Sequence, residues 1–297
     1  MPDQEPPWLA YERTLLGYLQ IEYSDSDVQH DVSLPGALSG VARQLDVLIH
    51  ERIAGDVVTT AFDAKCYSRR VNVKDVEAAI GLFRDVGVDR GVIITTVGYS
   101  DAALRRAFAD EVDLELDILN LADLGQFQSD GGALPYAGSH GAAIPAPLGW
   151  IVDGARSPIG PARLYRRGLT FEQAVEEHEF MYLRFWTKDE VASTSQALIE
   201  WQSENLRAAF PDVRLLVEPL DLGERWKGPG FIRTAANAYE WLEITACVEF
   251  REFLFFVVLH TPELVAARNR RKLEYVVRKA LPFNVVRQTS KAPAEAE

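Results

Sequence analysis

RQLDVLI (43–49) and FDAK (62–65) decide the fold, because each sets an aspartate inside an otherwise apolar run. A charge in such a run needs a reason. Both stretches read as strands, over 41–49 and 57–66, and Gly55 in the 50–56 connection is a natural turn residue. Side chains alternate along a strand, so Asp63 and Lys65 project from one side while Phe62 and Ala64 project from the other. A turn between Ala54 and Gly55 sets Asp46 opposite Asp63. Two carboxylates and an ammonium then meet on one patch.

Close carboxylates repel and raise each other's pKa unless a cation intervenes. A hard divalent ion such as Mg2+ accepts one or two carboxylates, a carbonyl and several waters. Phosphodiester hydrolysis needs a metal to polarise the phosphate and supply hydroxide, and a nearby lysine can steady the developing negative charge. The bland alternative is a salt bridge from Asp46 to Lys65, or a solvent-facing Asp-x-Lys pair. Spacing alone leaves both readings open.

Outward from this hairpin, Trp8, Tyr11, Leu15 and Leu19 recur at helical spacing and predict a first helix over 8–20. Val73, Val76, Ile80 and Phe83 predict a second helix that stops near Gly87. A buried strand is expected at 91–96, a helix capped by Ser100, a strand at 114–119 and a short helix at 122–127. The Gly-, Pro- and Ala-rich stretch 129–149 reads as a linker. Beyond it, capping boxes at Thr170/Gln173 and Thr187/Glu190 predict helices, the second a long one over 188–210 with Val191, Leu198, Trp201 (by its neighbour Ile199) and Leu206 inward. Strands at 213–217, 239–250 and 252–260, the last two paired, precede a final helix over 263–281 carrying Leu264, Leu273, Val276 and Val277. This half is an α+β module.

RQLDVLI (43–49) followed by FDAKCYSRRVNVKDVEAAIGLFRDVGVDRGVIITTVGYSDAALRRA (62–107) resembles the Mrr-like branch of the PD-(D/E)xK restriction endonuclease superfamily. An Asp in one strand, an acid-x-Lys in the next, a Val-rich helix, a strand ending in Thr and a Gly-aromatic-Ser turn into an Ala-rich helix all occur in order. The resemblance covers about 8–128. It implies an α/β fold, a restriction-endonuclease-like mixed sheet flanked by helices over 1–128, joined by the 129–149 linker to an unrecognised α+β domain over 150–297. It also implies a Mg2+-dependent endonuclease cleaving DNA, with Mn2+ able to substitute, serving restriction or phage defence. Asp46 and Asp63 would be metal ligands joined by the Ala64 carbonyl, Lys65 would position or activate the attacking water, and Glu12 would be the first-helix acid. Gln44 would line the site. Two residues depart from the branch: Asp63 stands where Glu is usual, shortening the reach to the metal, and Ala64 where Cys is frequent. A family that cuts two strands implies a homodimer. The same resemblance also allows a silent nuclease fold that binds nucleic acid or a protein partner.

The net charge of −13 requires any DNA-binding face to be local. One candidate is Lys65, Arg69, Arg70 and Lys74; the other is Arg268, Arg270, Arg271 and Lys272, continuing to Arg278 and Lys279, unless that run is a solvated helix face. Gly98 and Ser100 precede a helix and suit either a phosphate or a plain cap. Trp186, Trp201, Trp226 and Trp241 could stack bases or simply pack. Cys66 reads as a small packing residue, and the five scattered histidines give no zinc spacing. Two cysteines, no apolar run approaching a membrane span of about 20 residues and no signal-like N-terminus predict a cytoplasmic protein.

Overall fold

The computed structural model describes residues 6–285 apart from 54–55, 110–111, 113, 127–130, 156, 189 and 224–227. Helix α1 (Pro7–Glu22) opens on a proline, whose missing N–H costs nothing in a first turn, and buries Tyr11, Leu15 and Leu19. Strands β1 (Asp27–Pro35), β2 (Ala42–Ile53), β3 (Asp56–Lys65), β4 (Arg90–Thr95) and β5 (Glu115–Asn120) form a sheet in that order. The first three are antiparallel and the last three parallel, with α2 (Val73–Val86) and α3 (Asp101–Ala107) as the crossovers. This is the mixed sheet flanked by helices that the sequence predicts. Val47 pairs with Phe62 and Ile53 with Asp56, the register that sets Asp46 across from Asp63. The turn residues 54 and 55 lie outside the described residues.

One face of this sheet packs Leu45, Ala61 and Ile93 against Val76, Ile80 and Phe83 of α2. The other packs Val47, Phe62 and Ile94 against Leu15 and Leu19 of α1. Covered on both sides, β4 is buried along its whole length, as a parallel strand requires. Gly91 permits this closeness: a Cβ there would lie 2.3 Å from the Phe83 ring. Asn72 and Asp75 form a capping box on α2, and Gly87, at φ 73°, ends it.

Over its described residues, 131–149, the expected 129–149 linker is instead folded into the protein. It holds β6 (Gly132–Ala133), β7 (Tyr136–Ala137) and β8 (His140–Pro145), and β8 also pairs with β16 (Leu281–Asn284). Ile144 packs into the core of the second half and Leu148 into that of the first. Small residues here let the chain pass close between two cores, and composition alone reads the same residues as solvated.

The second half is built on seven antiparallel strands, in the order β12 (Arg214–Pro219), β13 (Gly230–Ala236), β14 (Leu242–Glu249), β15 (Phe253–Thr261), β11 (Phe180–Thr187), β10 (Arg163–Arg166) and β9 (Trp150–Asp153). On one side α6 (Ala266–Lys279) applies Leu273, Val276 and Val277. On the other, α5 (Ser195–Ala209) applies Leu198 and Ile199 to Cys247, Leu254 and Phe256. Short α4 (Phe171–Glu176) carries the expected Thr170/Gln173 capping box. The second box does not form. Thr187 ends β11, paired with Phe253, and α5 begins under Thr194, whose hydroxyl accepts the Ala197 N–H at 3.2 Å. Val191 and Trp201, expected to face inward, are exposed, as is Leu264 of the expected final helix.

His260 on β15 accepts the Trp241 indole N–H at Nδ1, 2.7 Å away. Burial, with His178 nearby, lowers its pKa to about 4. An unfolded histidine titrates near 6.5, so the folded state holds the ring neutral; the stability it carries is complete above about pH 6.5 and is lost as pH falls toward 4. Acidification across that window should cost about 3 kcal/mol at this group. Urea unfolding of His260→Phe should show that much less pH dependence between 7 and 4; an unchanged slope would rule the group out.

Candidate active site

Asp63 and Lys65 end β3 as an ion pair, Lys65 Nζ 2.8 Å from Asp63 Oδ1. Where the β2–β3 ladder gives out beyond Val47 and Phe62, the Ala64 N–H instead donates to Asp46 Oδ2 at 2.6 Å. Both carboxylates are thus anchored within the pair of strands. Burial raises the Asp46 carboxyl to about 6; Asp63 and Glu12 add to the rise, and the Ala64 N–H and Lys65 oppose it. Burial likewise raises Asp63 against the pull of Lys65. Burial works to lower the Lys65 ammonium, but Asp63, Tyr67 and Asp46 outweigh it and hold its pKa above the usual lysine value. Lys65 therefore sits in the site as a cation and donor.

Glu12 projects from α1, its side chain 20% exposed, with its carboxylate 3.9 Å from His30 Nε2. Its neighbour Tyr11, which the sequence reading treats only as core, lies near the Asp46 and Asp63 carboxylates. The Tyr11 hydroxyl is buried with no hydrogen-bond partner among the described residues. Burial first, then Cys66, Asp46 and Asp63, raise its pKa. Nothing in the helical periodicity separates it from Leu15 and Leu19; only its place beside Glu12 hints at this proximity. Tyr99 donates to the carbonyls of Ile93 and Leu119 at 2.7 and 2.8 Å and ties the ends of β4 and β5.

The other predicted contacts divide. Arg70 and Lys74 are exposed near the end of β3 and the start of α2. Arg69 is taken up by a two-pronged bond to Asp75, at 2.7 and 3.0 Å, and lies over the Tyr67 ring. Gln44 is exposed and donates to Asp31, a mid-strand residue at φ 54°. Ser100 caps α3 by accepting the Ala103 N–H at 3.2 Å, so the plain-cap reading holds there. Cys66 lies half-buried just beyond β3.

The second basic run is neither a DNA face nor a solvated one. Lys272 Nζ donates to the Leu148 carbonyl at 2.6 Å and lies 3.4 Å from both Glu115 and Asp117 of β5. Arg271 donates to the carbonyls of Ala107 and Ala109, and Lys279 pairs with Asp89. Arg90, bonded to Glu51 and Glu115, stacks 4.6 Å from the Tyr275 ring. Arg271, Lys272 and Lys279 thus hold the two halves together, while Arg268, Arg270 and Arg278 pair with Glu179, Glu218 and Glu274 of the second half.

Residues 38–126 match a restriction endonuclease family model, Mrr_cat. This segment is similar to restriction endonuclease domains of the Mrr type. The matched residues bracket Asp46, Asp63 and Lys65. No curated protein sequence matches the chain. Among solved structures, the chain is similar to the protein of unknown function AF1548, at 16% identity and a TM-score of 0.31 over 38% of this chain and 58% of that one. It is similar to the cyanobacterial PsbP (CyanoP) of Synechocystis sp. PCC 6803, at 13% identity and a TM-score of 0.34 over 49% and 94%. It is also similar to the MspJI restriction endonuclease in complex with a 27-mer oligonucleotide, at 19% identity and a TM-score of 0.27 over 39% and 26%. The chain thus spans 58% of AF1548 and about a quarter of MspJI. Among the described residues no group of three or more His, Cys, Asp or Glu is set to hold a metal ion, and no helix is long and apolar enough to cross a membrane.

Proposed function

We propose that this protein is a metal-dependent endonuclease of the cytoplasm that hydrolyses DNA phosphodiester bonds, in restriction or phage defence. The observation that carries the reading is the cluster of Asp46, Asp63 and Lys65 on adjacent strands inside the matched segment. Its donor set fits a hard divalent cation: two carboxylates whose ionisation burial resists, which gain from a positive partner. Asp46, Asp63 and the Ala64 carbonyl would hold Mg2+ or Mn2+, with water completing the shell. A bound ion supplies polarisation of the phosphate and a more acidic water. Lys65, kept protonated by its carboxylate neighbours, orients the attacking water and offsets charge developing on the phosphate. Glu12 and the unpartnered Tyr11 hydroxyl stand beside the carboxylates, where they can take part in holding water. Exposed Arg70 and Lys74 supply local positive charge against the net −13. Cutting both strands asks for two sites, and so for a homodimer.

Incubated with supercoiled plasmid, the protein should nick or linearise DNA with Mg2+ or Mn2+ and stop on chelation. A second reading, a silent module that binds nucleic acid or a partner protein, is favoured by one observation. Each carboxylate already has an internal partner, and no third ligand joins the pair among the described residues. Salt-sensitive DNA binding with no cleavage in either metal would select it.

A further inference from the structure

Helix α5 does not close its face of the second sheet completely. Between its C-terminal half and strands β11, β13, β14 and β15 lies a cavity of about 320 Å³. Arg233 lines it and is 2% exposed. Its Nη2 donates to Glu243 and to Thr245 Oγ1, while Nε and Nη1 have no hydrogen-bond partner among the described residues. The buried indole N–H of Trp186, on the same cavity, has none either. Buried donors in folded proteins are nearly always satisfied, and orphaned donors on two residues lining one cavity point to a missing acceptor. Arg184 adds a second guanidinium, held through Nε by the Ile159 carbonyl at 3.0 Å.

The walls say what shape that acceptor has. Tyr182, Trp186 and Phe256 line the cavity beside the guanidinium groups. At the rim, exposed Tyr239 stacks on Trp241, ring centres 5.1 Å apart, and meets Phe210 at 5.0 Å. Gln202 and Asn205 of α5 contribute amides that can donate or accept. Two arginines against one glutamate leave an excess of a single positive charge. A bare oxyanion would leave the flat walls unused. A planar, acceptor-rich ring uses both walls and donors, and guanine offers O6 and N7 on one edge, the pair an arginine reads best.

We propose that this cavity is a nucleobase pocket, taking a purine with an acceptor edge, guanine foremost, onto Arg233 between aromatic walls. The base arrives either as an unpaired residue of a nucleic acid or as a free nucleotide. In the first case the inference rests on the nuclease reading and gives the second half the task of reading the target.

Calorimetric titration without divalent metal separates these sources from each other and from cleavage. The probes are GMP, CMP, inorganic phosphate, a DNA duplex with one unpaired guanine and the fully paired duplex. GMP or the unpaired-guanine duplex should bind at least tenfold tighter than CMP or the paired duplex, and phosphate should not compete. Tighter binding of the unpaired-guanine duplex than of GMP assigns the nucleic-acid source, and the reverse order assigns the free nucleotide. Ala209→Trp, at an exposed lining position on α5, should weaken binding tenfold or more with an unchanged circular dichroism spectrum. Arg233→Gln should do the same if it folds. Equal competition by phosphate, a preference for CMP, no saturable binding to folded protein, or indifference to Ala209→Trp would overturn the pocket. A protein that binds guanine but cuts no DNA keeps this inference and loses the nuclease reading; cutting without base binding does the opposite.

Discussion

Lys65→Ala should lower plasmid cleavage by about 10²–10³-fold, the range for deleting one preorganised donor aimed at developing charge. Asp63→Asn should cost at least as much, because it removes one of two candidate carboxylate ligands and the partner of Lys65. Stability should move the other way at Asp46. Its carboxyl is raised to about 6 by burial, so at pH 7 the folded chain carries an ionised group whose burial is costly. Asn keeps an oxygen for the Ala64 N–H and loses the charge, so metal-free Asp46→Asn should gain up to about 3 kcal/mol while losing cleavage. Mg2+ should raise the melting temperature of the wild type and not of the variant. Cleavage untouched by Lys65→Ala would sink the site, and lost cleavage with falling stability at Asp46 would reduce it to a structural cluster.

Much of that site was legible because a strand hairpin leaves little freedom. Once 54–55 is taken as the turn, a period of two fixes which side chains face each other, and Asp46 and Asp63 follow. What escaped is instructive. β1 is an edge strand whose side chains are all exposed or half-exposed, and polar His30 interrupts the alternation of Val28, Val32 and Leu34, so its period is faint. Tyr11 is missed because a hydroxyl near two carboxylates and a ring packed in a core have the same helical period. In 129–149 the glycines, prolines and alanines are those of a solvated linker, and only the tertiary fold shows Ile144 and Leu148 buried in two cores. Between 180 and 187, the aromatic run pairs with β15 along its length, and that pairing overrides the capping-box pattern at Thr187.

Lys272→Met should lower stability by about 3–5 kcal/mol, the usual cost of breaking a buried ion pair by removing one partner. The sequence offers six basic residues within 268–279 as equals, but burial ranks them. Lys272 is 2% exposed and answers two carboxylates of β5 as well as the Leu148 carbonyl; without it Glu115 keeps Arg90, while Asp117 is left facing methionine. Arg270 binds Glu218 and Glu274 nearer solvent, so Arg270→Ala should cost under about 1 kcal/mol. Thermal unfolding should separate the two by roughly 10 °C. Adding Asp117→Asn to Lys272→Met should recover part of the loss, since the stranded charge is then gone. Equal effects of Lys272→Met and Arg270→Ala would mean that Lys272 does not join the halves. If the expected ranking is found, removing residues 150–297 would strip Arg90, Glu115 and Asp117 of their partners on α6, and the first sheet would be tested in a state this fold does not contain.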